Sequence, residues 1–115
     1  MNRSLAGLAL CAVGIAAAAQ AQAPASPQAK ARAMRVSAAL GECHARNAAR
    51  LARGDPNSAR VVNTVLAQCR TRENAVRAEG YRALDARTAA RVMKDQRAHW
   101  RRRVGELVAR ARARR

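Results

Sequence analysis

From Ala29 to Arg115 the chain holds one proline, Pro56, and is made mostly of Ala, Arg, Leu, Glu and Gln. These side chains lose little freedom in a helix, and no stretch alternates apolar and polar residues as a half-buried strand would. The pattern predicts an all-α chain interrupted at two places. The first is Arg53-Gly54-Asp55-Pro56-Asn57-Ser58. Gly54 suits a left-handed position after a helix end, Asp55 suits an N-cap and Pro56 the first turn that follows. The second is residues 80–85, where Gly80 is placed to end a helix and Asp85 to cap the next. Helices are expected over about residues 30–53, 56–79 and 86–111. A continuous helix through Gly80 is the alternative, at a cost of about 1 kcal/mol relative to Ala.

The short first connection forces an antiparallel hairpin. Val36, Leu40, Cys43, Asn47 and Leu51 share one helical face, as do Val61, Val65, Cys69, Arg72 and Val76. A single register sets Leu51 against Val61, Asn47 against Val65, Cys43 against Cys69 and Val36 against Val76. Leu40 against Arg72 is its one mismatch, and Val62 and Leu66 widen the stripe. Cys43 and Cys69 are therefore expected to form a disulfide that clips the hairpin. A redox role would need a Cys-x-x-Cys setting, which neither cysteine has.

The compartment agrees with that bond. Residues 1–21 read as a secretory signal peptide: Arg3, then an apolar run from Leu5 to Ala19, then Ala19-Gln20-Ala21 as the cleavage site. The run, about 15 residues, is short for a membrane anchor, which needs about 20. Leu10 before Cys11 does not suit a lipoprotein. Cleavage after Ala21 would remove Cys11 and deliver an even pair of cysteines to the periplasm or the exterior, where disulfides persist. Residues 22–28, with Pro24 and Pro27, read as a flexible linker ahead of a helical domain over 29–115. No transmembrane span is expected in the mature chain.

Residues 22–115 contain 13 Leu and Val and no Ile or Phe, against 22 basic and seven acidic side chains. So thin a core needs alanine-mediated helix contact and the disulfide to hold. Trp100 and Tyr81 are the only aromatics, so there is no platform for stacking bases. Export would also part the protein from the genome, and no native nucleic-acid role is expected. No Gly-x-Ser-x-Gly, His-Glu-x-x-His or Gly-rich phosphate loop occurs. The chain reads as a non-enzyme without a cofactor. Cys43, His44, Cys69 and His99 make a poor zinc set, because neighbours on a helix point about 100° apart. His44 and His99 read as surface residues, and Glu42–Arg46, Glu73–Arg77, Glu79–Arg82 and Glu106–Arg110 as surface pairs.

The arginines remain. Arg outnumbers Lys 21 to 2, and residues 82–115 hold twelve basic side chains and three acidic ones. On a helical wheel Trp100, Val104, Leu107, Val108 and Ala111 form a stripe flanked by arginine. That layout fits an interfacial helix, with Trp100 as anchor and Arg97, Arg101, Arg102, Arg103 and Arg110 at phosphates. It equally fits a bundle helix whose arginines form a solvated face, the kind of composition GC-rich coding supplies. The expected function is non-enzymatic association with anionic surfaces of the cell envelope, such as lipid headgroups or lipopolysaccharide phosphates. The alternative is a protein-interaction module in which a helix face buries against a partner or a second copy. The layout resembles small exported helical proteins of Gram-negative bacteria in which two cysteines clip a hairpin, a resemblance of architecture that carries no function.

Overall fold

A computed structural model of the chain describes residues 26–114. The expected signal peptide and cleavage site, Cys11 and most of the expected linker lie outside the described residues. Four helices and no strands occur among them: α1 (Pro27–Gly54), α2 (Ser58–Gln68), α3 (Arg70–Ala83) and α4 (Ala86–Ala113). Only Cys69 separates α2 from α3. The backbone bonds bridge it, from Cys69 N–H to the Val65 carbonyl and from Glu73 N–H to the Cys69 carbonyl, each 3.0 Å. The two helices thus make one rod interrupted at Cys69, and the described residues form three rods. The third rod, α4, folds back on the hairpin and packs against α1 and α2, so the architecture is a bundle and not a hairpin with a projecting arm.

The helix boundaries follow from local chemistry, and several differ from expectation. Helix α1 starts at Pro27, not about residue 30, because Ser26 accepts the Ala29 N–H at 3.1 Å and Pro27 needs no N–H in the first turn. Gly54 is the last residue of α1 and takes no left-handed conformation; Asp55 follows it in extended backbone, as a residue before proline prefers. The cap of α2 is Asn57, which accepts the Arg60 N–H at 3.0 Å, so the helix starts at Ser58 rather than Pro56. Asp55 instead accepts the Asn57 N–H at 2.9 Å and the Arg60 guanidinium, which folds the loop onto itself. Asp85 caps α4 as expected, through the Thr88 N–H at 2.9 Å and the Thr88 hydroxyl at 2.7 Å. Gly80 does not end a helix. A Cβ there would lie 2.7 Å from Met93 Cε, so the glycine makes room for that side chain inside α3.

The hairpin register holds at the disulfide, where Cys43 and Cys69 are joined with Cα atoms 5.9 Å apart. Beyond it the expected face shifts. Arg72 is exposed and Glu73 turns inward in its place, while Val76 is buried as expected. On α1 the deepest line is Leu40, His44, Ala48 and Ala52, while Val36, Cys43 and Leu51 sit at its margin. Ala48 and Ala52, 0% and 1% exposed, let the rods approach closely; Val61, Val65, Val104 and Val108 fill the same core. Asn47, the polar residue in the expected stripe, donates its amide to the Cys43 carbonyl at 2.9 Å and lies beside both sulfurs. Its Oδ1 accepts from Arg50, which also reaches Gln68 across the hairpin at 2.9 Å.

Candidate anion-binding surface

Trp100 is 5% exposed, and Val104 and Val108 beside it are 0% and 1% exposed. The apolar stripe of α4 is therefore consumed in the core. This corrects the role expected for Trp100: its ring packs between the rods and offers no face to lipid. The reason is the number of partners. The hairpin presents Leu40, Val62, Val65 and Val76, enough to cover an aromatic ring that an isolated helix would have to bury elsewhere.

Two polar side chains lie inside with it. His44 is 1% exposed and Glu73 is 7% exposed, with His44 Nε2 3.5 Å from Glu73 Oε1. The imidazole meets Trp100 edge to face, with ring centroids 6.4 Å apart. Burial holds the His44 pKa below its ordinary value; the Glu73 carboxylate works against that and Arg103 works with it. His44 is thus neutral at pH 7 and directs its Nε2–H at the carboxylate. The sequence places both residues at the surface, and the fold corrects this. The spacing of His44 between Leu40 and Ala48, four residues either way, is the signal for its burial, and Glu73 follows four residues after buried Cys69. The other expected helical pairs behave as surface pairs where they form: Arg46 to Glu42 at 3.5 Å and Arg82 to Glu79 at 2.8 Å.

Arg97, Arg101, Arg102, Arg103 and Arg110 are all exposed on α4. They fall outside the inward line of Met93, Trp100, Val104 and Val108. The fold divides them between the two sides of Trp100. Arg103 borders a cleft of about 320 Å³ that also contains His44, Gln96 and His99. Arg97 and Arg101 border a larger groove of about 700 Å³, joined by Arg70 and Arg77 from α3. Arg102 and Arg110 line neither. Arg101 also donates to Asn63 Oδ1 at 2.8 Å, and partly buried Arg112 ties the end of α4 to the hairpin loop through the Asp55 carbonyl, also at 2.8 Å. The sequence points to charge within the last helix alone, and so misses Arg70 and Arg77.

Among the described residues no three His, Cys, Asp or Glu side chains converge to hold a metal ion, and no helix is long and apolar enough to cross a membrane. No family model, curated protein or solved structure matches the chain. The fold and surface together define a disulfide-clipped helical bundle of three rods whose exposed side chains include many arginines.

Proposed function

We propose that the protein is exported and associates, without catalysis, with anionic surfaces of the cell envelope such as lipid headgroups or lipopolysaccharide phosphates. The bundle docks intact, through guanidinium groups, and inserts no apolar side chain. One observation carries this reading: Arg97, Arg101, Arg102, Arg103 and Arg110 are all exposed on α4, while the stripe they flank is buried at Trp100, Val104 and Val108 and half-buried against the core at Leu107 and Ala111. Each arginine near an anionic membrane contributes about 1 kcal/mol, so five supply a useful but salt-sensitive affinity. The test is co-sedimentation with anionic and zwitterionic vesicles across a salt series. Binding to the anionic vesicles alone, strong at about 50 mM and lost by about 300 mM salt, is expected because exposed charges are screened.

The second reading, a protein-interaction module, is favoured by a set of exposed apolar side chains. Met34, Tyr81, Leu84 and Val92 are 73%, 52%, 38% and 40% exposed. Capture of a partner that survives about 300 mM salt, with no vesicle binding at any salt, would favour it over the electrostatic one.

A further inference from the structure

The larger groove has a chemistry of its own. Arg70, Asn74 and Arg77 line it from α3, at spacings of four and three that keep them on one helix face. Arg97 and Arg101 line it from α4, four residues apart, with Ala98 leaving room between the rods. Leu66 and Trp100 supply its apolar lining. Four guanidinium groups thus meet around one cavity with a single carboxylate, Glu73, whose Oε1 is directed to His44. Among the described residues, Arg70, Arg77 and Arg97 make no ion pair, unlike Arg32, Arg46, Arg60 and Arg82. Arg77 is held in place, its guanidinium 5.9 Å from the centre of the Trp100 ring. Its Nε is nonetheless buried without an acceptor. A buried donor without a partner, beside four guanidinium groups that outnumber one carboxylate, describes a site suited to an anion.

We infer that this groove binds a phosphate monoester. Guanidinium forks match phosphate oxygens two at a time. A monoester presents three such oxygens and close to two negative charges at neutral pH, whereas a diester carries only one charge. Four arginines against one carboxylate favour the former. The cavity, about 700 Å³, admits the group that bears the phosphate as well as the phosphate itself. This site narrows the surface reading above and rests on it for the source of the ligand: the phosphate belongs to an exposed envelope headgroup or to a soluble phosphorylated molecule.

Calorimetry with glycerol phosphate at about 150 mM salt tests the soluble source. Vesicles carrying phosphatidic acid or phosphatidylglycerol, matched for surface charge, test the membrane source. The variant Arg70→Gln/Arg97→Gln removes two exposed groove cations. Arg87→Gln/Arg91→Gln removes the same charge from exposed positions of α4 that lie outside the groove and outside the five surface arginines, and thermal melts verify that both fold. Saturable one-to-one binding of glycerol phosphate, or a preference for phosphatidic acid that glycerol phosphate competes away, is expected. Either should fall at least tenfold in the groove variant and about twofold or less in the control. Equal losses in the two variants, or no saturable binding and no preference between the vesicles, would overturn the site. In that second case, salt-sensitive binding to both vesicles would leave the surface reading standing. Glycerol phosphate binding without vesicle binding would keep the groove and refute the surface reading.

Discussion

Reducing the disulfide should move stability more than any other single chemical change. The bond closes a loop between residues 26 apart in sequence. In the chain-entropy model, closing such a loop restricts the unfolded chain by about 3.5 kcal/mol at 25 °C. Small domains are stable by only about 5–15 kcal/mol in total, and this core has little else in reserve. Its largest fully buried side chains include four valines but no leucine, isoleucine or phenylalanine. A loss of that size in a domain this small corresponds to a fall in Tm of roughly 15–25 °C. The clean comparison is the wild-type protein melted with and without reductant, followed by far-UV circular dichroism. The thiols then stay in place, and Cys69, 0% exposed, leaves no cavity as it would in an alanine variant. Mass spectrometry fixes the starting state: alkylation should add mass only after reduction. A fall of less than about 5 °C, worth roughly 1 kcal/mol by the same scaling, would show that the helices close the hairpin unaided. Free thiols in exported protein would refute the clip altogether.

Other consequences follow from single sites. Because burial lowers the His44 pKa, the native state takes up a proton less readily than the unfolded chain, whose imidazole keeps the ordinary value of 6.5. The stability this group permits is complete above pH 6.5 and is lost as the pH falls below it. A proton on His44 would face Glu73 favourably and Arg103 unfavourably, with Arg77 and His99 nearby, and desolvation decides the sign. Urea midpoints should decline between about pH 7.5 and 5, and His44→Gln should flatten that slope; an unchanged slope would contradict the burial argument. Asp55 titrates elsewhere: bonding to Arg60 lowers its pKa to about 2, so its share of stability is lost only as the pH falls below 3.8. Gly41 and Gly105 lie inside helices with nothing within 4 Å of where an added Cβ would sit, so Gly41→Ala and Gly105→Ala should each stabilise the fold by about 0.5–1 kcal/mol. Gly80→Ala should gain less, since Met93 must move aside; equal gains at all three positions in denaturant titrations would refute the close contact.

Some of this molecule is legible in its residues, and the rest is hidden for physical reasons. The cysteine pairing is readable because two thiols on opposed faces in one register leave little choice, and Asp85 because a capping residue precedes an unbroken run of helix formers. The loop is harder: Asp55 and Asn57 are both good caps, and the tie to Arg60 that settles Asp55 in the loop is a contact between side chains five residues apart. Trp100 illustrates a deeper limit. A wheel records which residues share a face but not whether water, lipid or another helix meets it. The inward His44 and Glu73 are polar residues that each supply the other's partner across 29 positions, so neither looks buried alone. Arg70 and Arg77 join Arg97 and Arg101 only because α3 lies beside α4, a neighbourhood made by the fold.

The central claim is that the bundle meets an anionic surface whole, with its charge outside and its apolar stripe inside. Trp100, the only tryptophan, reports on that directly. Its emission should be recorded while the protein is titrated to saturation with anionic vesicles carrying a quencher in their acyl chains. Binding with no shift in the emission maximum and no quenching is the predicted result, because the ring stays in the core. A blue shift with quenching on the same vesicles would mean that α4 leaves the bundle and enters the lipid, and would contradict the claim.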